Sequence, residues 1–129
     1  MPDWIWLRQD VVLALHDEQI AEHGGLSGIR DLALVESALG RPMNLAAYGE
    51  PDAASLAAAY AFGLARNRPF ADGNKRTAAV VSLTFLLLNN VEFRISEAEL
   101  VVMTLALAAG DLSEGEVARW FRDHIVAKG

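Results

Sequence analysis

The sequence predicts an all-α fold, a compact bundle of about six helices around a buried central helix. Three observations predict it. Apolar residues recur at helical spacing in successive segments that are punctuated by glycine, proline, aspartate and serine. Two serines, Ser96 and Ser113, each precede a glutamate three residues on, the capping-box signature of a helix start. The chain of 129 residues is 53% apolar and 22% charged, which fits one globular domain spanning 1–129 and excludes a disordered chain.

The elements follow in order. Arg8 to His23 places Val11, Val12, Leu15 and Ile20 at near-helical spacing in a first helix, which Gly24 and Gly25 stop. Asp31 caps a second, with Leu32, Leu34, Val35 and Leu39 as its apolar stripe and Gly40, Arg41 and Pro42 as its end. Residues 41–52 then read as a long loop. An alanine-rich third helix runs from Ala53 to Arg66, and Pro69 blocks its continuation. The fourth runs from Gly73 to Asn89, apolar on every side, and is the expected centre of the bundle. Val91 to Ile95 reads as a short extended piece. Helix five starts at Ser96, and its run from Leu100 to Ala109 reads as mostly buried. Helix six starts at Ser113 and turns Val117, Trp120, Phe121 and Ile125 inward. Trp4 and Trp6 alternate as plugs for the core.

Composition narrows the function. There is no cysteine, so a disulfide scaffold, a zinc–thiolate site and a cysteine nucleophile are excluded. Eleven Lys and Arg stand against seventeen Asp and Glu, a net charge of -6, which argues against direct nucleic-acid binding. The longest nearly apolar run, Thr77 to Leu88, falls short of the roughly 20 residues that span a bilayer. No basic stretch leads an apolar one at the start, so no signal peptide, no membrane association and a cytoplasmic location are expected.

One stretch, Arg68 to Thr77 (RPFADGNKRT), breaks the ordinary rules. Asp72 stands where a helix N-cap belongs and Gly73 where the backbone turns in. Lys75 and Arg76 then fall in the first turn, the end of a helix that disfavours cations by roughly 0.3–1 kcal/mol each. Arg66, Arg68, Lys75 and Arg76 face Asp72 alone, a local charge of +3 in a chain of -6. Free N–H groups, a glycine that admits a ligand and two cations describe a phosphate site, and a carboxylate beside phosphates is where Mg²⁺ is held. Only one glycine is present, so this is not a Walker A loop. Phe70 reads as a core anchor. His16, His23 and His124 lie outside the stretch and read as surface or packing residues.

Pro69 to Arg76 (PFADGNKR) resembles the signature of the Fic/Doc superfamily, and within it the Doc (death-on-curing) toxins, which read H-x-F-x-[DN]-G/A-N-K-R. The AMP-transferring Fic enzymes read H-P-F-x-x-G-N-G-R, with glycine where Lys75 stands here. The likeness extends to Leu15–Glu18 and Gly24–Asp31. It implies a toxin of a toxin–antitoxin pair, a kinase that moves the ATP γ-phosphoryl group to a threonine of elongation factor Tu and halts translation. It further implies Mg²⁺ on Asp72, an anion-binding turn at Gly73 and Asn74, and a phosphate grip from Lys75 and Arg76. A Phd-type antitoxin is the implied partner, its disordered tail folding as a helix into an apolar groove. The inhibitory pattern [ST]-x-x-x-E-[GN] of Fic enzymes is absent from the chain, so inhibition is expected from outside. Residues 41–52 correspond in position to the superfamily's target-docking loop.

The departure is Arg68, at the position of the family's base histidine. Arginine stays protonated and accepts no hydrogen bond, so it cannot serve as a general base. An inactive chain is therefore expected, whether the residue was introduced or arose naturally. The alternatives are Fic-type AMP transfer and a non-catalytic nucleotide- or partner-binding module.

Overall fold

The computed structural model describes residues 3–126. Six helices follow one another: α1 (Gln9–His23), α2 (Leu32–Tyr48), α3 (Ala53–Asn67), α4 (Asn74–Leu88), α5 (Glu97–Ala108) and α6 (Glu114–His124). Both capping boxes are formed, with Ser96 and Ser113 each exchanging hydrogen bonds with the glutamate three residues on.

The centre of the bundle is α3 rather than α4. It packs against α2, α4, α5 and α6, and the run from Leu56 to Ala61 is buried without a break. Its alanines give it a thin waist, which lets four neighbours close in. The expectation for α4 rested on large apolar side chains, yet Leu87 and Leu88 at its end are exposed. Tyr60 anchors the middle of α3. Its ring packs on Phe85, and its hydroxyl accepts a hydrogen bond from the Leu7 amide at 3.1 Å. Trp4 and Trp6 lie against Phe85 as well, each at 5.9 Å between ring centres. Asn89 pins that segment by bonding both the amide and the carbonyl of Ile5.

Two further expectations are corrected. The second helix does not end at Pro42; it continues to Tyr48, so most of residues 41–52 is helical. A proline inside a helix costs roughly 3 kcal/mol, and burial of Val35, Ala38, Leu39 and Pro42 against the core offsets it. The close approach is made at Gly63, where an added Cβ would stand 3.1 Å from the Ala38 Cα. Helix α5 is not mostly buried. Met103, Thr104 and Leu107 face in, while Val101, Val102 and Leu105 face solvent.

The end of α6 is held by charge. Phe93 and Ile125 form an antiparallel bridge. Beside it, the His124 Nδ1 lies 2.7 Å from the Trp120 carbonyl and Nε2 lies 2.5 Å from Glu99 Oε2. Both partners are acceptors, so the imidazolium is the form that satisfies both. Burial alone would lower the His124 pKa; the Trp120 carbonyl and the Glu99 carboxylate outweigh it and raise it above 6.5. A histidine raised on folding contributes stability that is complete below its unfolded pKa and is lost as pH rises through its folded one. The melting temperature of the wild type minus that of Glu99→Gln should therefore be largest near pH 6 and shrink as pH climbs above the folded pKa. A difference independent of pH over that range would contradict the ion pair.

Candidate active site

The site begins where α3 stops. Arg68 caps it in the left-handed region, at φ 50° and ψ 58°, and Pro69 turns the chain away. The return to α4 is closed from both sides. Asn74 folds back on Phe70, its Oδ1 accepting from the Phe70 amide at 2.9 Å and its Nδ2 donating to the Phe70 carbonyl at 3.1 Å. From the other side, the amides of Arg30 and Asp31 both bond the Pro69 carbonyl, and the Ala71 amide bonds the Gly28 carbonyl. Ile29 and Phe70 thus form an antiparallel bridge. The Asp31 side chain meanwhile caps α2 through the amides of Ala33 and Leu34.

His16 supports this loop from beneath. It is 2% exposed, buried on α1, and its ring stacks on Phe70 at 3.8 Å and 7° between planes. Its Nε2–H donates to the Asp72 carbonyl at 2.7 Å. This packing histidine belongs to the motif's foundation, a role its own stretch of sequence did not reveal.

Asp72 is not the N-cap of α4. Gly73 is, in the left-handed region at φ 74°, and that turn folds the carboxylate back. Oδ1 accepts from the Gly73 amide at 2.8 Å and Oδ2 from the Leu26 amide at 3.2 Å. These two amides, with the nearby charge of Arg76, hold its pKa below the usual carboxylate value. Asp72 is therefore an ionised, exposed carboxylate at neutral pH. Gly25 makes room for it: an added Cβ there would stand 2.7 Å from Oδ2.

The first amides of α4 have no carbonyl within the helix to bond; the first to find one is Thr77, to Gly73 at 3.0 Å. Lys75 and Arg76 are exposed on that turn. Beside it lies a cleft of about 350 Å³ lined by Arg30, Arg68, Phe70, Ala71 and Asn74. The structure thus gathers Arg68, Asp72, Gly73, Asn74, Lys75 and Arg76 at one end of α4. Arg66 lies instead over the Phe62 ring, at 5.2 Å. His23 remains partly exposed near Glu22, and His124 belongs to the α5–α6 contact. Arg30, Gly25, Leu26 and His16 were missed as supports; their segments Leu15–Glu18 and Gly24–Asp31 were visible only as parts of the wider likeness. Residues 41–48 form the second half of α2. The loop that follows leads into the start of α3, ~22 Å along that helix from Arg68.

The sequence profile of the Fic/DOC family matches residues 6–86. The chain belongs to the Fic/DOC family. It is 38% identical over 112 residues to "Protein kinase doc" of Escherichia phage P1, which covers 86% of this chain and 88% of that relative. It is also 38% identical over 96 residues to "Toxin Doc" of Mycolicibacterium smegmatis, covering 69% of this chain and 73% of the relative. Within this Fic/DOC chain the matched residues run from before α1 into the last turn of α4 and so take in the whole of the loop and its supports.

The His16 contacts make a stability prediction. His16→Ala removes the stack on Phe70 and leaves the Asp72 carbonyl without its donor, which should cost about 1–3 kcal/mol in denaturant unfolding. An unchanged midpoint would show that the loop does not rest on α1.

Proposed function

We propose that this chain is the toxin of a toxin–antitoxin pair, built as a kinase that transfers the ATP γ-phosphoryl group to a threonine of elongation factor Tu. The observation that carries the reading is the start of α4: open amides, Lys75 and Arg76 on the first turn, and an ionised Asp72 beside them. Phosphoryl transfer needs positioning and charge neutralisation more than covalent chemistry, and this end of the helix offers both. The names of the two relatives, a protein kinase and a toxin, support the same reading.

In this reading Gly73 and the α4 amides seat the phosphates, and Lys75 and Arg76 neutralise them. Asn74 keeps the turn shaped through its bonds to Phe70. Asp72 fits a divalent cation because it is ionised, exposed and has lone pairs to spare. Among the described residues no three acidic or histidine side chains converge as a cage, so Mg²⁺ would be held by Asp72 together with phosphate oxygens, as is usual for this ion. When bound, Mg²⁺ supplies neutralisation of the developing phosphate charge. A translation factor as target makes the cytoplasm the site of action.

Arg68 occupies the base position and can accept no proton. The chain as it stands is then a nucleotide-binding scaffold with little or no turnover, and Arg68 favours this second reading of a binding module. Lys75, in place of the glycine of AMP-transferring enzymes, favours γ- over α-phosphorus chemistry. Arg68→His should raise transfer from ATP labelled at the γ-phosphate by about 10²–10⁴-fold, with none from the α-label. A reverted chain that binds ATP and elongation factor Tu yet transfers nothing would overturn the kinase reading. An Arg68 chain already at full rate would show that another residue is the base.

The proposed partner is a Phd-type antitoxin whose tail adds an amphipathic helix. The exposed face of α5 supports this, with Val101, Val102 and Leu105 at 49%, 68% and 50% exposure on neighbouring turns. Val102→Asp should weaken that complex on the order of tenfold while leaving the melting temperature unchanged. Undiminished affinity would remove α5 from the interface.

A further inference from the structure

Arg30 lies outside the sequence motif, on the loop between α1 and α2, yet it reaches the motif's first residue. Its Nε–H donates to the Arg68 carbonyl at 2.8 Å and its Nη2–H to the Asn67 carbonyl at 2.9 Å. These are the last carbonyls of α3, which no helical amide can satisfy. The two bonds use the planar fork of one guanidinium, a geometry that lysine cannot copy. They fall at a strained point. Among the described residues Arg68 and Asn90 are the non-glycine residues with positive φ, and such a conformation persists only where its surroundings enforce it.

Arg30 and Arg68 both line the cleft of about 350 Å³, together with Phe70, Ala71 and Asn74. We propose that Arg30 is a positioning residue for the side chain at position 68. It fixes that residue's backbone in the left-handed turn, and it holds a permanent cation at the cleft that residue 68 also lines. A cation at close quarters disfavours a second one. An imidazole at position 68 is thereby biased toward its neutral form, the form in which a general base accepts a proton.

Other charged groups flank the loop. The Asp31 carboxylate accepts from the amides of Ala33 and Leu34, and the Asp72 carboxylate from those of Gly73 and Leu26; both keep their negative charge. Arg66 lies over Phe62. Lys75 and Arg76, on the first turn of α4, add to the positive field, so Arg30 is the cation of the cleft that is fixed by bonds to residue 68 itself.

The catalytic side of this proposal rests on the phosphotransfer reading; the positioning does not. The test uses the full chain carrying Arg68→His, alone and combined with Arg30→Ala or Arg30→Lys. Nuclear magnetic resonance titration follows the introduced imidazole, thermal melting reports folding, and kcat and KM for ATP are measured on elongation factor Tu. Arg30→Ala should raise the imidazole pKa and cut kcat by about 10²-fold while KM for ATP stays close to its starting value. Arg30→Lys should return the pKa toward its starting value, because it restores the charge, but recover only part of kcat, because it lacks the fork.

An imidazole pKa and a kcat that ignore Arg30→Ala would overturn the proposal. So would a fall in kcat with an unmoved pKa and no recovery with lysine, the mark of a merely structural contact. Where the Arg68→His chain transfers nothing, the titration still decides the positioning, and only the phosphotransfer reading falls.

Discussion

Two backbone amides, those of Arg30 and Asp31, converge on the single carbonyl of Pro69. Pro69 cannot extend α3, so no helical amide four residues on takes up its carbonyl, which is a free acceptor at the point where the chain must reverse. The Gly24–Asp31 loop occupies it, and every other feature of the site depends on that contact. With Ala71 tied to Gly28, the loop and the motif form a short two-stranded clasp between α3 and α4. The clasp fixes where α4 begins. It leaves the first amides of that helix facing out, with Lys75 and Arg76 around them.

The electrostatics follow from this placement. Cations on the first turn oppose the helix dipole, and the carboxylate that would ordinarily offset them is turned back by Gly73 and shared with Leu26. Asp72 therefore stays ionised without closing over the amides. The site keeps an excess of positive charge that a phosphate would relieve, together with one carboxylate free to share a cation with it. The thin, alanine-rich α3 supplies a rigid bed beneath, and His16 carries the contact down into α1 through Phe70.

Much of this was legible in the sequence. Six helices followed from caps and punctuation, since Asp31, Ser96 and Ser113 act locally and bond amides two or three residues away. The misplaced charge at Lys75 and Arg76 marks the start of α4 as a candidate anion site from the sequence itself. What escaped depended on distant partners. Pro42 reads as a helix end until Ala38 is seen against Gly63. His16 reads as an ordinary helical histidine because its acceptor lies 56 residues on. Asp72 reads as the N-cap because its side chain suits the role; the left-handed turn at Gly73 moves the cap one residue. Helix α5 read as buried because a helix apolar all round carries no sign of which face is covered. The wider likeness to the Doc proteins held Gly24 to Asp31 within it, but nothing in spacing or composition showed that Arg30 would reach across to Asn67 and Arg68.

The central claim is that the clasp is closed while the start of α4 is open for phosphate. Residue-resolved amide hydrogen exchange tests both halves in one measurement. The amides of Arg30, Asp31 and Ala71 should exchange slowly with or without nucleotide. Those of Lys75 and Arg76 should exchange fast in the free chain and slow when ATP and Mg²⁺ are added. Fast exchange throughout the clasp, or amides at Lys75 and Arg76 indifferent to nucleotide, would contradict the account.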